Sequence, residues 1–461
     1  MALGNGGGRG FLIGGGLFAV GLALQLTIGP VNWSLLAAPV NGIMLVLLPG
    51  ILGLMYLLRK RVPAFAWLMH GQAAVAAITW ALGITVVMGL LPQTRQGGIP
   101  WLSQMLRFWP FVLIWTWMMV ISGLATINHL LRFKLKEIPF LLNHLGVFVT
   151  IVAATLGSAD VRRLQMPVYY DHPEWRAVSD GDEMVDPGLA IELHRFTADF
   201  YEDGTPRHFA SDISVYPEDG KDLRGTVEVN KPLKVNGWKI YQYGYDSASG
   251  SDSPYSVFLL VKDPWLPAVY AGIFLMLAGA LSLFFLRNAS RRKWILLAAL
   301  LLTGFFTFLT VSRMGPAARS LPPALQSPWF IPHLIVYMAG YALLATATVL
   351  AVYQLLRKTD AQGGVTDNLV YAGLAFLTIG MLFGALWAKE AWGHYWTWDP
   401  KETWAAITWL CYLLYMHFRT VRSKDWRASC WILLLAFACL QVCWWGINYL
   451  PSAQGLSVHT Y

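Results

Sequence analysis

The chain has 461 residues, 56% hydrophobic and 13% charged, with a formal net charge of +8. Soluble domains carry about 25% charged residues, so a soluble globular enzyme is excluded and a multi-span membrane protein is expected. No phosphate-cradling loop or metalloprotease pattern occurs, and no nucleic-acid partner is expected.

Apolar runs long enough to approach a full bilayer crossing lie near 11–29, 41–58, 65–91, 108–128 and 141–157, then 267–286, 294–312, 333–356, 369–388, 404–418 and 428–448. The fifth and tenth are short and the first is glycine-rich, which predicts ten to eleven helices. The start lacks a small-residue cleavage site and reads as an uncleaved first helix. Arg59-Lys60-Arg61, Arg132/Lys134/Lys136, Arg287/Arg291/Arg292/Lys293, Arg357/Lys358 and Arg419/Arg422/Lys424/Arg427 follow alternate spans, which makes those loops cytoplasmic.

Between the fifth and sixth spans lies the one long hydrophilic segment, 158–266, with 19 of the 26 Asp and Glu against 11 Lys and Arg. The orientation puts it outside the cytoplasm. Its end reads as β-structure: 226–229 alternates, Asn236-Gly237 is a hairpin turn, 238–243 alternates again, and 255–261 makes a last strand. The expected fold is therefore an all-α polytopic membrane protein with one inserted small extracytoplasmic β-rich domain. Its parts are 1–157, 158–266 and 267–461, the last with an external loop at 389–404.

That loop reads Trp392-Gly393-His394-Tyr395-Trp396-Thr397-Trp398-Asp399-Pro400-Lys401-Glu402-Thr403-Trp404. Interfacial tryptophan belts are common, but a belt needs no Asp-Pro-Lys-Glu run and no glycine set among indoles. Of the seven acids outside the hydrophilic segment, Glu390, Asp399 and Glu402 fall here.

The four cysteines, Cys411, Cys430, Cys439 and Cys443, sit in predicted helices without a C-x-x-C pair or a C-x-x-C-H haem attachment site. They read as small apolar helix residues. Chemistry is easier to place on the histidines, because ionisable groups at membrane depth usually have partners or functions. His144 opens the span 141–157 and His417 closes the span 404–418, both toward the cytoplasmic side. They are placed to face each other across one ligand, with His129 and His70 as competitors at similar depth. His333 follows the external stretch Ser327-Pro328-Trp329-Phe330-Ile331-Pro332, and His459 lies in the external tail; both share the loop's side, where His394 is a further candidate. Taken singly, each histidine is more often an interfacial or packing residue. Pairs of imidazoles flanking an aromatic platform, however, describe haem sites, with axial nitrogens on iron and indoles against the macrocycle.

Trp392-Gly393-x-x-Trp396-x-Trp398-Asp399-Pro400-Lys401-Glu402 resembles the tryptophan-rich WWD signature of haem-handling proteins in cytochrome c assembly, of the CcsA (ResC) type. Segments 327–333, 412–419 and 446–461 resemble the flanking histidine segments of that family, although Leu456-Ser457-Val458-His459-Thr460-Tyr461 is two residues longer than the usual ending. Phe140-Leu141-Leu142-Asn143-His144-Leu145-Gly146, Val229-Asn230-Lys231-Pro232-Leu233, Tyr241-Gln242 and Val261-Lys262-Asp263-Pro264 resemble the partner subunit CcsB (ResB), and select His144 over His129. Together they make the chain similar to a fused CcsB-CcsA synthase, with an external domain smaller than most.

The resemblance implies a holocytochrome c synthase, or haem lyase, in the bacterial inner membrane, with domain and loop in the periplasm. Haem b would be held between His144 and His417, then at an outer site by His333 and His459 as iron ligands. The indoles of Trp392, Trp396, Trp398 and Trp404 would hold the macrocycle, in a catalytic loop completed by Gly393, Asp399, Pro400 and Glu402, while thiols of an apocytochrome c C-x-x-C-H segment add to its vinyl groups. Thiol-reducing partners and the lipid bilayer complete the list. Asp399 and Glu402 read better as loop-shaping groups than as acids, and Lys401, Arg313 and Arg319 are candidates for haem propionates. A haem exporter serving a separate ligase, and a di-haem electron-transfer subunit, are the competing readings.

Overall fold

A computed structural model describes residues 5–94, 100–285 and 321–453. Before the hydrophilic segment come α1 (Asn5–Ile28), α2 (Val40–Leu58), a short α3 (Pro63–Leu68), α4 (Gly71–Leu90), α5 (Trp109–Leu130) and α6 (Ile138–Gly157). After it come α7 (Leu266–Phe285), α8 (Phe330–Arg357), α9 (Gly363–Trp392), α10 (Pro400–Val421) and α11 (Trp426–Trp444). Among the described residues, nine helices are long and apolar enough to cross a membrane: all of these except α3 and α10.

The expected run 65–91 is broken where His70 takes an extended conformation, separating α3 from α4. The expected run 294–312 lies outside the described residues. The expected run 404–418 lies within α10, whose 22 residues begin with Lys401 and Glu402 and end near Arg419. Its polar ends lower its mean hydropathy, yet Ile407, Leu410, Cys411 and Tyr412 are fully buried in the main core with residues of α4, α8, α9 and α11.

Nine strands fill the segment between α6 and α7: β1 (Arg162–Tyr169), β2 (Ala177–Ser179), β3 (Met184–Val185), β4 (Leu189–Phe200), β5 (Pro206–Pro217), β6 (Leu223–Glu228), β7 (Leu233–Val235), β8 (Trp238–Tyr245) and β9 (Tyr255–Lys262). The Asn236-Gly237 turn is as expected: both residues have positive φ, 46° and 81°, and join β7 to β8 with Val235 opposite Trp238. Strands β1 to β5, not read from the sequence, complete the domain. A six-stranded antiparallel sheet in the order β3-β2-β1-β9-β8-β7 packs on a three-stranded sheet, β4-β5-β6. Met166, Ile191, Ile213, Val227, Ile240 and Phe258 fill the space between them.

β9 does not alternate, because it is buried on both faces. Phe258 and Leu260 face the domain core, while Leu259 and Val261 join Tyr241 in a second apolar patch on the opposite face. β1 leaves α6 and β9 returns to α7 with Arg162 opposite Lys262, so the sheet stands directly on this helix pair. At the junction the Asp160 carboxylate accepts from the Ala38 amide (3.1 Å), the Asn41 side chain (2.6 Å) and the Trp265 indole (2.8 Å). One carboxylate thus ties the entries of α2 and α7 to the end of α6.

Candidate functional site

His144 on α6 and His417 on α10 come together inside the bundle, with ring centroids 6.3 Å apart. The Nδ1 of His144 lies 2.9 Å from the Phe140 carbonyl and that of His417 2.8 Å from the Leu413 carbonyl. A carbonyl can only accept, so each Nδ1 carries a proton, and in the neutral ring Nε2 is then the nitrogen with the free lone pair. Neutral imidazoles with an oriented Nε2 are the form in which histidine ligates a metal. Phe140 lies between two imidazoles, 3.8 Å from His144 and 3.9 Å from His129, and His129 pairs with Glu137 at 3.1 Å.

On the opposite side of the bundle His333 occupies the first turn of α8, its Nδ1 2.8 Å from the Gly380 carbonyl of α9. The ring fits because α9 carries glycine at position 384: a Cβ there would lie 2.9 Å from Cε1 of His333 and 3.0 Å from Nδ1, whereas a Cβ on Gly380, one turn earlier, would meet Tyr337. The sequence reading missed this seat, although Gly380-x-x-x-Gly384 is the small-residue spacing by which membrane helices approach closely.

From His333 a file of rings leads into the loop. Trp387 lies 5.8 Å from His333 and 5.0 Å from Trp392, which stacks on His394 at 6.3 Å with planes 16° apart. Trp387 and Trp329 are fixed by their indole donors, the first to the Ala324 carbonyl (2.7 Å) and the second to Glu390 (2.9 Å). Trp396 meets Trp398 edge-on at 5.8 Å, and Trp398 meets Phe111 and Trp115 of α5 at 5.7 and 5.5 Å.

The acids of the loop shape its backbone. Asp399 is the N-cap of α10 and accepts from the Lys401 amide at 2.8 Å, while Glu402 reaches back to the amides of Thr397 (2.7 Å) and Asp399 (3.2 Å) in a capping box. Pro400 opens the helix, where its missing N–H costs nothing. Trp398 sits at φ +60°, a conformation bulky residues rarely adopt, and the Thr403 hydroxyl donates to its carbonyl at 3.0 Å.

Trp404 is placed differently from the other indoles. It is buried against α4, where its N–H donates to the Gly89 carbonyl at 3.1 Å. A cavity of about 250 Å³ lies between the end of α4 and the loop, lined by Gly89, Gln93, Trp398, Asp399 and Ser452. His459, Arg313 and Arg319 lie outside the described residues.

The sheet domain packs over the loop. Gly393 has φ +77°, and a Cβ there would lie 3.1 Å from Tyr241, 3.1 Å from Val261 and 3.3 Å from Leu259, so the apolar patch of the sheet rests on this glycine. Lys389, almost wholly buried, donates to the Gly393 carbonyl at 3.0 Å and lies 3.7 Å from the equally buried carboxylate of Asp263. Burial, with Asp263 nearby, pushes the Tyr395 phenol up to about 12.

Two family models match the chain: "Cytochrome C assembly protein" over residues 265–453 and "ResB-like family" over residues 132–254. Among curated relatives, the cytochrome c biogenesis protein CcsA of Cyanophora paradoxa is 30% identical over 274 residues, covering 45% of this chain and 84% of that protein. CcsA of Chlamydomonas reinhardtii is 37% identical over 176 residues (35% and 48%), and that of Synechococcus sp. (strain RCC307) 33% over 201 residues (35% and 63%). The chain thus spans about half the length of the Chlamydomonas protein and most of the Cyanophora one. With a ResB-like segment running into the sheet domain and a CcsA-like match across α7 to α11, the chain belongs to the CcsA family of cytochrome c assembly proteins, as a fusion in which the ResB-like part comes first.

Proposed function

We propose that this protein is a cytochrome c synthase: it takes haem b at an inner site between His144 and His417 and presents it at an outer site to an apocytochrome c C-x-x-C-H segment. The observation that carries this reading is the approach of the two inner imidazoles. Two metal–nitrogen bonds of about 2 Å each, together with the near halves of two rings, span roughly 6 Å between centroids, which matches the 6.3 Å separation. Both backbone-bound Nδ1 atoms leave Nε2 as the ligating atom.

At the outer site His333 supplies one iron ligand, and His459 is proposed as the second. Trp392, Gly393, Trp396 and Trp398 form the platform, which Asp399, Pro400 and Glu402 hold in shape; Trp404 anchors it to α4. Haem is the cargo and supplies two vinyl groups. Each thioether forms when a cysteine sulfur bonds to one vinyl carbon and its hydrogen goes to the other, an addition without leaving group or net redox change. Such a step calls for alignment and a reduced thiol rather than an enzymic nucleophile. The basic loops support an orientation with the sheet domain and loop on the outer side, in what we propose is a bacterial inner membrane.

Expression with a c-type apocytochrome in a bacterium lacking its own assembly system tests the reading, with covalent haem and haem per purified synthase as readouts. His144→Ala or His417→Ala should lower inner haem and starve the outer site. His333→Ala should abolish attachment while inner haem persists. Good expression and bound haem without covalent product would sink the synthase assignment; unchanged haem in all three variants would overturn the ligand set.

A further inference from the structure

The sheet face resting on Gly393 also carries charge. Arg163 on β1 and Lys239 on β8 are both register partners of Val261 on β9, so the two cations flank Val261 on the face that covers the loop. Adjacent strands lie about 4.8 Å apart, which separates the two Cα atoms by roughly 10 Å. Long side chains can converge across that span on one anion. Three cations, Arg163, Lys239 and Lys389, gather at this seam with the acids Asp263 and Glu390, which act electrostatically on several of them.

Three of these charges are already engaged by neighbours. Lys389 pairs with Asp263, and Glu390 accepts from Ser327 (3.1 Å) and the Trp329 indole (2.9 Å). Arg163 and Lys239 have no ion pair among the described residues, and Nε of Arg163 is buried without a hydrogen-bond partner. A half-buried guanidinium with an unsatisfied donor beside a desolvated ammonium is an incomplete arrangement. An oxyanion entering from the loop side would complete it.

We infer that Arg163 and Lys239 form a carboxylate-binding subsite, contributed by the external domain, that takes an acidic substituent of the planar ligand held on the tryptophan loop. The inference rests on the haem reading above, since haem carries two propionates on one edge and its vinyl groups elsewhere on the ring. Gripping the acidic edge from the sheet orients the macrocycle and leaves the vinyl groups to the peptide. It also gives the small external domain a part in binding, where sequence reasoning had looked to Lys401, Arg313 and Arg319.

Equilibrium titration of haem and of haem dimethyl ester into full-length protein in nanodiscs of zwitterionic lipid separates the possibilities. A His144→Ala/His417→Ala background isolates the outer site. Arg163→Gln/Lys239→Gln should weaken haem about tenfold or more and leave the diester unchanged, with Arg163→Lys/Lys239→Arg restoring most of the affinity. Equal weakening for haem and diester, or none for either, would overturn the subsite while leaving the haem reading intact. A difference that emerges only with anionic phospholipid present would assign the pair to headgroup phosphates, and also overturns it. If the protein without substitutions takes up neither ligand, the haem reading itself falls and the subsite with it.

Discussion

His333 is held by geometry that a single methyl group disturbs. Its ring lies against α9 because Gly384 has no side chain and because the Gly380 carbonyl takes its Nδ1 proton. Gly384→Val should displace the ring, cost about 1–3 kcal/mol as overpacking and remove outer-site haem. Gly364→Ala, on the same helix with nothing within 4 Å of the added atom, should change neither haem content nor melting in detergent. Glu402 is the comparable point in the loop, where it accepts from Thr397 N, Thr397 Oγ1 and Asp399 N. Glu402→Ala strands these donors and should cost about 1–3 kcal/mol, read as a lower melting temperature and faster proteolysis at 393–399. Glu402→Gln, which still accepts, should lie between. Melting of Glu402→Ala at the unsubstituted temperature would refute a structural part for this carboxylate.

At the scale of elements, the junction between the helices and the sheet domain depends on Asp160. Burial works against its charge, but donors from Trp265, Asn41 and Ala38 outweigh it and hold the carboxyl below its ordinary value of 3.8. A carboxylate depressed in the folded state stabilises above its unfolded pKa, and that contribution is lost as pH falls through the folded one. Stability should therefore decline as pH drops below about 4. Asp160→Asn should already be destabilised at pH 7 and show a shallower decline; parallel melting curves from pH 3 to 7 would refute the clamp. α3 and α4 show the limit of the periodic signal, because one apolar run covers both and the extended His70 between them leaves no mark in hydropathy.

For the whole molecule, the tryptophan loop is where the sheet domain and the helices α4 and α5, which precede both matched regions, meet. Its indoles lock into α4 and α5, and its glycine lies under the sheet. The Lys389–Asp263 pair sits in that seam, nearly dry. Asp263→Asn leaves a buried ammonium short of its counter-charge and should cost about 3–5 kcal/mol. Asp263→Leu/Lys389→Met should recover much of that loss, and a double-mutant cycle in detergent melting measures the coupling. Additive effects would show that the pair does not join domain to loop.

Periodicity, basic loops and the partition of acids determined the membrane class, the inserted β-rich segment and the loop as the place to look, because burial in lipid and solvation in water act on composition directly. Asn236-Gly237 and the loop-shaping part of Asp399 and Glu402 were legible for the same reason: each rests on a local rule between near neighbours. Strands β1 to β5 were not, since their faces are defined by partners far along the chain and β9 loses its alternation to double burial. Only the tertiary structure decided that His144 meets His417, that Gly380 and Gly384 seat His333, that Trp404 serves α4, and that Arg163 and Lys239 flank one valine. Each is a contact between residues remote in sequence, fixed by helix packing and strand register that no local pattern encodes.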